Sequence, residues 1–430
     1  MTNKSAKILE LFTTGSWRNL KNIRSKINTK NCKNLSRAQA LLLRCLCESP
    51  LETKYSLELI EDLERENPIA ALGLLISRAS IAHAIAKLIT EDSNAAKVYI
   101  QSSLATMLST IHLVGLKIAT KKKQKILNSA SNLSNCLHSQ LELKQALLQR
   151  KMSPNMTFVL GMHRSGTSAL TGMLAHAGFS APKEPMQANV HNPKGYWEST
   201  RIMQANDNLL ESLNSQWSTT VKLQHNWAYT EQAKSWRKSL LNCITEEYEK
   251  SHHSIIKDPR FCILIEGLKP WLESDLINPS FIISIRDPRE VVQSLKKVQN
   301  IDIPQGFLLW IAYNLRAIGE TQGYERRIID YHFLLQNPSM ALSHCTEILT
   351  TNSSNRSDTF NPINFIEPNL RNEDPSSLDS KIINDGEETF HEHRKLAEII
   401  YQIIIQESQG QPLRKETLQQ LELKLLVASI

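Results

Sequence analysis

An apolar run that breaks at a glycine and restarts as a helix of small hydroxyl residues constrains this chain more than any other feature. In Phe158–Leu170 the residues Phe158, Val159 and Leu160 predict a buried strand. Gly161–Gly166 predicts a tight loop, and Thr167 and Ser168 open a helix. Such a junction points loop and helix N–H groups at one spot, and the helix dipole favours negative charge there. The expected ligand of that spot is a phosphate.

The two glycines keep the spacing of a Walker A loop, G-x-x-x-x-G-K-[ST], but Thr167 stands where the lysine would be. A nucleoside triphosphatase uses that lysine on its β- and γ-phosphates. Without it the loop suits a nucleotide with a short 5′ end. The loop's cation is instead internal, at Arg164.

Strand and helix patterns alternate from Met152 onward. Met156–Gly161, Ser254–Ile256, Ser280–Ile285 and Arg327–Tyr331 read as strands, and Thr167–Ala177 as the helix after the loop. Two strands run into similar charged turns, Lys257-Asp258-Pro259-Arg260 and Arg286-Asp287-Pro288-Arg289. This alternation predicts an α/β fold, a P-loop-containing parallel sheet flanked by helices, with ligand groups at the carboxyl ends of its strands.

Residues 1–150 precede it as an all-α region. Leucine, isoleucine and alanine recur every three or four residues in Ala38–Cys47, Ile69–Leu88 and Leu104–Ile118. Asn67-Pro68 reads as a helix start. The run Lys121-Lys122-Lys123-Gln124-Lys125 is expected near the end of the third segment, where lysine complements the dipole. The organisation expected is a helical region over 1–150, the α/β domain over 152–350, and a polar loop (352–388) with closing helices Glu388–Glu407 and Lys415–Val427 over 351–430.

Charge is uneven between these parts. Residues 1–150 hold 22 Lys and Arg against 11 Asp and Glu, about +11, and the rest 28 against 32, about −4. The excess reads as a solvated helical face, with contact to an acidic surface as the alternative. Seven scattered cysteines without a C-x-x-C pair suggest neither a disulfide framework nor a zinc site. With no signal peptide in Met1–Leu20, a reducing, cytoplasmic setting is expected. The stretch between Lys97 and Lys117 lacks acids and bases, yet Gln101, Ser102, Ser103 and Thr106 make it too polar for a transmembrane segment.

Two further strand ends bear on the ligand. Arg286 leaves a strand and is followed eight residues later by Ser294 on the next helix, so fork and hydroxyl can hold a second phosphate. Tyr331, at another strand end, can meet a base. A nucleotide with one short 5′ group and a separate 3′-phosphate is adenosine 3′,5′-bisphosphate, whose sulfonated form is 3′-phosphoadenosine 5′-phosphosulfate (PAPS).

At these residues the chain resembles the PAPS-dependent sulfotransferases, in particular the bacterial-type branch with G-x-x-R-S-G-T-S loops. The resemblance spans about residues 156–375 through Gly161–Leu170, Asn192–Glu198, Lys257–Arg260, Arg286–Ser294, Tyr331–Pro338 and Phe365–Arg371. It implies that Arg164, Ser165, Gly166, Thr167 and Ser168 bind the 5′-phosphosulfate, with Arg164 stabilising charge on the bridging oxygen. It implies Arg286 and Ser294 at the 3′-phosphate, Tyr331 near adenine, and Arg371 closing over the 3′-phosphate. Relatives usually follow the tyrosine with Glu-Asp, where this chain has His332-Phe333.

Glu198 is the expected base for the acceptor's hydroxyl or amine, with His191 and Asp258 as rivals and pairing with Arg201 as its structural alternative. Lys257 and Arg260 are expected either at the transferring group or in pairs with nearby acids. The chemistry requires no metal, and His391-Glu392-His393 reads as a helix surface. The acceptor is left open among carbohydrate, lipid and small molecule. Trp217, Trp227, Tyr229 and Trp236 either line its site or pack a helical cap. The competing readings are a P-loop kinase, against which the missing lysine argues, and a non-catalytic sulfotransferase-like binding protein.

Overall fold

β1 (Asn155–Leu160), β2 (Ser254–Lys257), β3 (Asn278–Ile285) and β4 (Glu325–Asp330) form one parallel sheet in the order β2-β1-β3-β4. This computed structural model describes residues 2–27, 35–51, 57–190, 192–248, 251–349, 360–366, 388–411 and 413–428. β1 and β3 are buried along nearly their whole length and carry apolar runs at Phe158–Leu160 and Phe281–Ile283, as central strands of a parallel sheet do. Phe158, Val159, Leu160, Phe281, Ile282 and Ile283 are all fully buried. The edge strand β4 is only partly buried.

In register, Val159 lies opposite both Lys257 and Ile282, and Ile285 lies opposite Asp330. The chain leaves β1 for β2 on one side and returns to β3 on the other. The carboxyl end of β1 is therefore a topological switch point, where open α/β sheets bind ligands. Three helices matter for that end: Thr167–His176 after β1, Pro288–Gln299 after β3, and Ile303–Glu320.

The chain divides into two compact units. The sheet belongs to Gln149–His225, Ser239–Glu266 and Asn278–Ile430. The other unit joins Met1–Leu148 with Asn226–Lys238 and Gly267–Ile277, so it is wider than residues 1–150. Within it, helices Pro68–Ile89 and Ser93–Leu113 approach closely: Ser77 Oγ meets Ser103 Oγ at 2.7 Å, and a Cβ on Gly73 would strike Thr110. Helix Ala130–Leu148 holds the later segments. Arg237 is fully buried and donates to Ser139 Oγ (3.0 Å), Ala228 O (2.7 Å) and Gly267 O (2.8 Å).

The lysine run falls differently from expectation. It opens its own helix, Thr120–Asn128, instead of closing the preceding one. Three lysines thus sit in a first turn, the end the dipole disfavours, where solvent screens them. Helix Pro68–Ile89 is, among the described residues, the one long and apolar enough to cross a membrane by length and composition, and a third of it is buried. The six described cysteines are all buried. Part of the expected 352–388 loop lies outside the described residues; within it Pro362–Phe365 forms a helical turn. The closing helices are Glu388–Ser408 and Lys415–Ala428.

Candidate functional site

The loop after β1 turns twice through left-handed backbone. Gly161 has φ +145°, and a side chain there would strike the Ser284 carbonyl of β3. Arg164 adopts φ +69° without being glycine, a strain that clusters at ligand sites. Gly166, at φ +87°, lies flat on the Tyr331 ring, which a Cβ would penetrate. Gly166 is also the N-cap of Thr167–His176, and as a glycine it offers that helix no capping side chain. Its first N–H groups remain available to an anion. Gly166, Thr167 and Ser168 line a cleft at this point. Ser165 does not: its hydroxyl is buried without a partner among the described residues, while its carbonyl accepts from Ser284 Oγ at 2.7 Å.

One wall of the cleft is cationic. Arg286 leaves β3 with its guanidinium 4.5 Å above the Tyr331 ring. Its Nε donates to Glu290 Oε2 at 2.6 Å, and its Nη1 to the Arg164 carbonyl at 3.1 Å. Nη2 is buried and has no partner among the described residues. Arg164 Nε in turn donates to Ser294 Oγ at 2.8 Å. The fold therefore joins Arg164 to the Arg286 and Ser294 pair on one wall. Tyr331, buried beneath Gly166 and Arg286, supports that wall. The divergent His332 has a partner too, since its Nε2 meets Glu290 Oε1 at 2.9 Å.

Lys257, at the end of β2, and Glu198 form a buried ion pair. The ammonium donates also to Ser168 Oγ and the Tyr196 carbonyl, both at 3.1 Å. Burial raises the Glu198 carboxyl above its ordinary range, and the Lys257 charge works in the opposite direction. Arg201 pairs with Glu246, not Glu198. Asp258 is engaged elsewhere: it accepts from Asn206 Nδ2 at 3.0 Å and from the Arg260 N–H at 2.9 Å. Arg260 bridges Asp258 and Asp207, which is its structural alternative. His191 and Arg371 lie outside the described residues.

Sequence reasoning gave no role to three residues. His163 lines the cleft and packs edge-on to Trp217 (4.9 Å) and Tyr313 (5.9 Å). Burial, then the charges of Arg260, Lys257 and Arg164, hold its imidazole well below the usual range. Glu290 and His332 act behind Arg286, and only the i, i+4 spacing of Arg286 and Glu290 signalled that contact. Of the four candidate aromatics, Trp227, Tyr229 and Trp236 are buried in the helical unit. Trp217 alone belongs to the sheet unit.

The described lining carries Arg164, Lys194, Lys257 and Arg286 against a single carboxylate, Glu198. A cleft so charged favours a ligand with several negative groups. No family model and no curated protein matches the chain. Among solved structures it is similar to the sulfotransferase domain from the Synechococcus PCC 7002 olefin synthase, at 17% identity over 58% of this chain and 95% of that one, TM-score 0.31. It is also similar to the sulfotransferase domain from the curacin biosynthetic pathway, at 15% identity over 64% of this chain and 98% of that one, TM-score 0.28. Likenesses this distant add nothing to the geometry of the cleft.

Proposed function

We propose that this chain is a sulfotransferase that moves a sulfuryl group from PAPS to a hydroxyl or amine acceptor. The observation that carries the reading is Arg286, which lines a cleft with Arg164, Ser294 and Lys257 and whose buried Nη2 has no partner among the described residues. A buried donor of this kind is costly unless a ligand meets it, and phosphate oxygens match its geometry.

Arg286 and Ser294 hold the 3′-phosphate. The loop Gly161–Ser168 acts as the P-loop for the 5′-phosphosulfate, with Ser165 serving through its backbone and Thr167 and Ser168 at the helix start. Glu198 takes the acceptor's proton as the acceptor oxygen or nitrogen attacks sulfur. The bond from sulfur to the bridging oxygen breaks, and adenosine 3′,5′-bisphosphate leaves. Lys257 and Arg164 balance the charge that grows on that oxygen. Lys257 reaches both Glu198 and Ser168, so it links the base to the donor loop.

Calorimetric titration with adenosine 3′,5′-bisphosphate and with ATP tests the donor. Tight binding of the bisphosphate is expected, and preference for ATP would overturn the reading in favour of a kinase. Transfer of labelled sulfate from PAPS into a cell extract then tests the reaction.

A further inference from the structure

A guanidinium receives an anion well only when its plane is already fixed, because ordering it at each binding event costs rotamer freedom. Arg286 is fixed from behind. The Tyr331 ring lies under it, and the fully buried Glu290 accepts its Nε hydrogen at 2.6 Å. Glu290 is itself held, since its other oxygen meets His332 Nε2 at 2.9 Å. An ionised carboxylate has no hydrogen to give, so Nε2 carries the hydrogen of this bond whether the imidazole is neutral or charged. His332 does not line the cleft, and neither does Glu290.

We propose that His332 is a positioning residue for the anion-binding fork: its Nε2–H holds the Glu290 carboxylate, and Glu290 holds Arg286 with Nη2 left for an anion. The assignment rests on the proposed role of Arg286 in binding the 3′-phosphate. A second carboxylate facing the buried Glu290 would repel it, whereas an N–H donor fixes it.

The test compares His332→Leu with His332→Gln, because glutamine restores an N–H donor at the reach of Nε2. Calorimetry with adenosine 3′,5′-bisphosphate should show about tenfold weaker binding for the leucine variant, as a bond to a charged group is lost. The glutamine variant should bind within about twofold of the parent protein. A second readout needs no nucleotide: hydrogen exchange of the Arg286 Nε–H by NMR, the signal assigned by its loss in Arg286→Ala. Slow exchange is expected in the parent and in His332→Gln, and fast exchange in His332→Leu.

Unchanged affinity and exchange in His332→Leu would overturn the proposal. Equal loss in both variants would overturn it as well, because packing alone would then explain the position. A parent protein that ignores the bisphosphate would sink the proposed function, while Nε–H exchange would still decide the role of His332.

Discussion

Arg286 makes three contacts from one side chain, and its buried Nη2 has no partner among the described residues. Arg286→Ala should therefore weaken adenosine 3′,5′-bisphosphate binding by about 1.5–3 kcal/mol, the range for hydrogen bonds to charged groups. Titration calorimetry checks this, and an unchanged affinity would place the 3′-phosphate elsewhere. Glu198 and Lys257 are expected to act on turnover instead. Glu198 works as a base only when ionised, and burial raises its pKa. Activity should thus fall as pH drops through a value above the ordinary carboxylate range, and Glu198→Gln should lower kcat with bisphosphate affinity nearly intact. The Lys257 charge opposes the rise, so Lys257→Met should move the acid limb of kcat to still higher pH. A limb that stays in place would mean that Glu198 is not the base. The motifs singled out both residues, and both line the cleft. Their buried pairing was not legible, because residues 198 and 257 lie on separate elements and local spacing does not encode that contact.

At the scale of the element, helix Thr167–His176 carries the loop Gly161–Gly166 at its start and anchors the segment of Glu198 along its side. Gly172 permits this: a Cβ there would lie 2.6 Å from Phe365 Cζ and 2.7 Å from Trp197 Nε1. Trp197, which precedes Glu198, is held at φ +59°. Alanine in a helix ordinarily gains about 1 kcal/mol over glycine. Here the clash outweighs the gain, since it involves two large rings and a strained backbone. Gly172→Ala should lower the melting temperature and reduce kcat more than bisphosphate affinity, as followed by calorimetry and labelled-sulfate assay. A higher melting temperature with full turnover would contradict this account. The strands around the helix were readable because β1 and β3, buried along nearly their whole length, carry the apolar runs Phe158–Leu160 and Phe281–Ile283. The lysine run Lys121–Lys125 was misread for the opposite reason: a dipole preference of a few tenths of a kcal/mol yields easily to tertiary packing.

Over the whole molecule, the alternation of strands and helices was enough to foresee a parallel sheet with its cleft at the strand ends, whereas the extent of the helical unit was not. That unit takes in Asn226–Lys238 and Gly267–Ile277, more than 75 residues beyond Leu148. Nothing local marks those segments, because their aromatics are apolar in any setting and only the fold supplies partners. Helix Ala130–Leu148 supplies them within the unit. Asn135 Nδ2 donates to the Tyr229 carbonyl at 2.9 Å, Ser139 Oγ accepts from Arg237, and Gln140 Nε2 donates to the Pro270 carbonyl at 2.8 Å. A chain beginning at Gln149 would lose all three and leave Trp227, Trp236 and Trp271 without part of their surroundings. Exposed aromatics and unpaired buried groups both favour association. Such a chain should aggregate or bind a hydrophobic dye, with tryptophan emission shifted to the red of the full-length protein. If it were instead monomeric, with blue-shifted emission and a cooperative melt, residues 1–148 would be dispensable to the later segments. The helical unit would then end where the sequence pattern first placed its boundary.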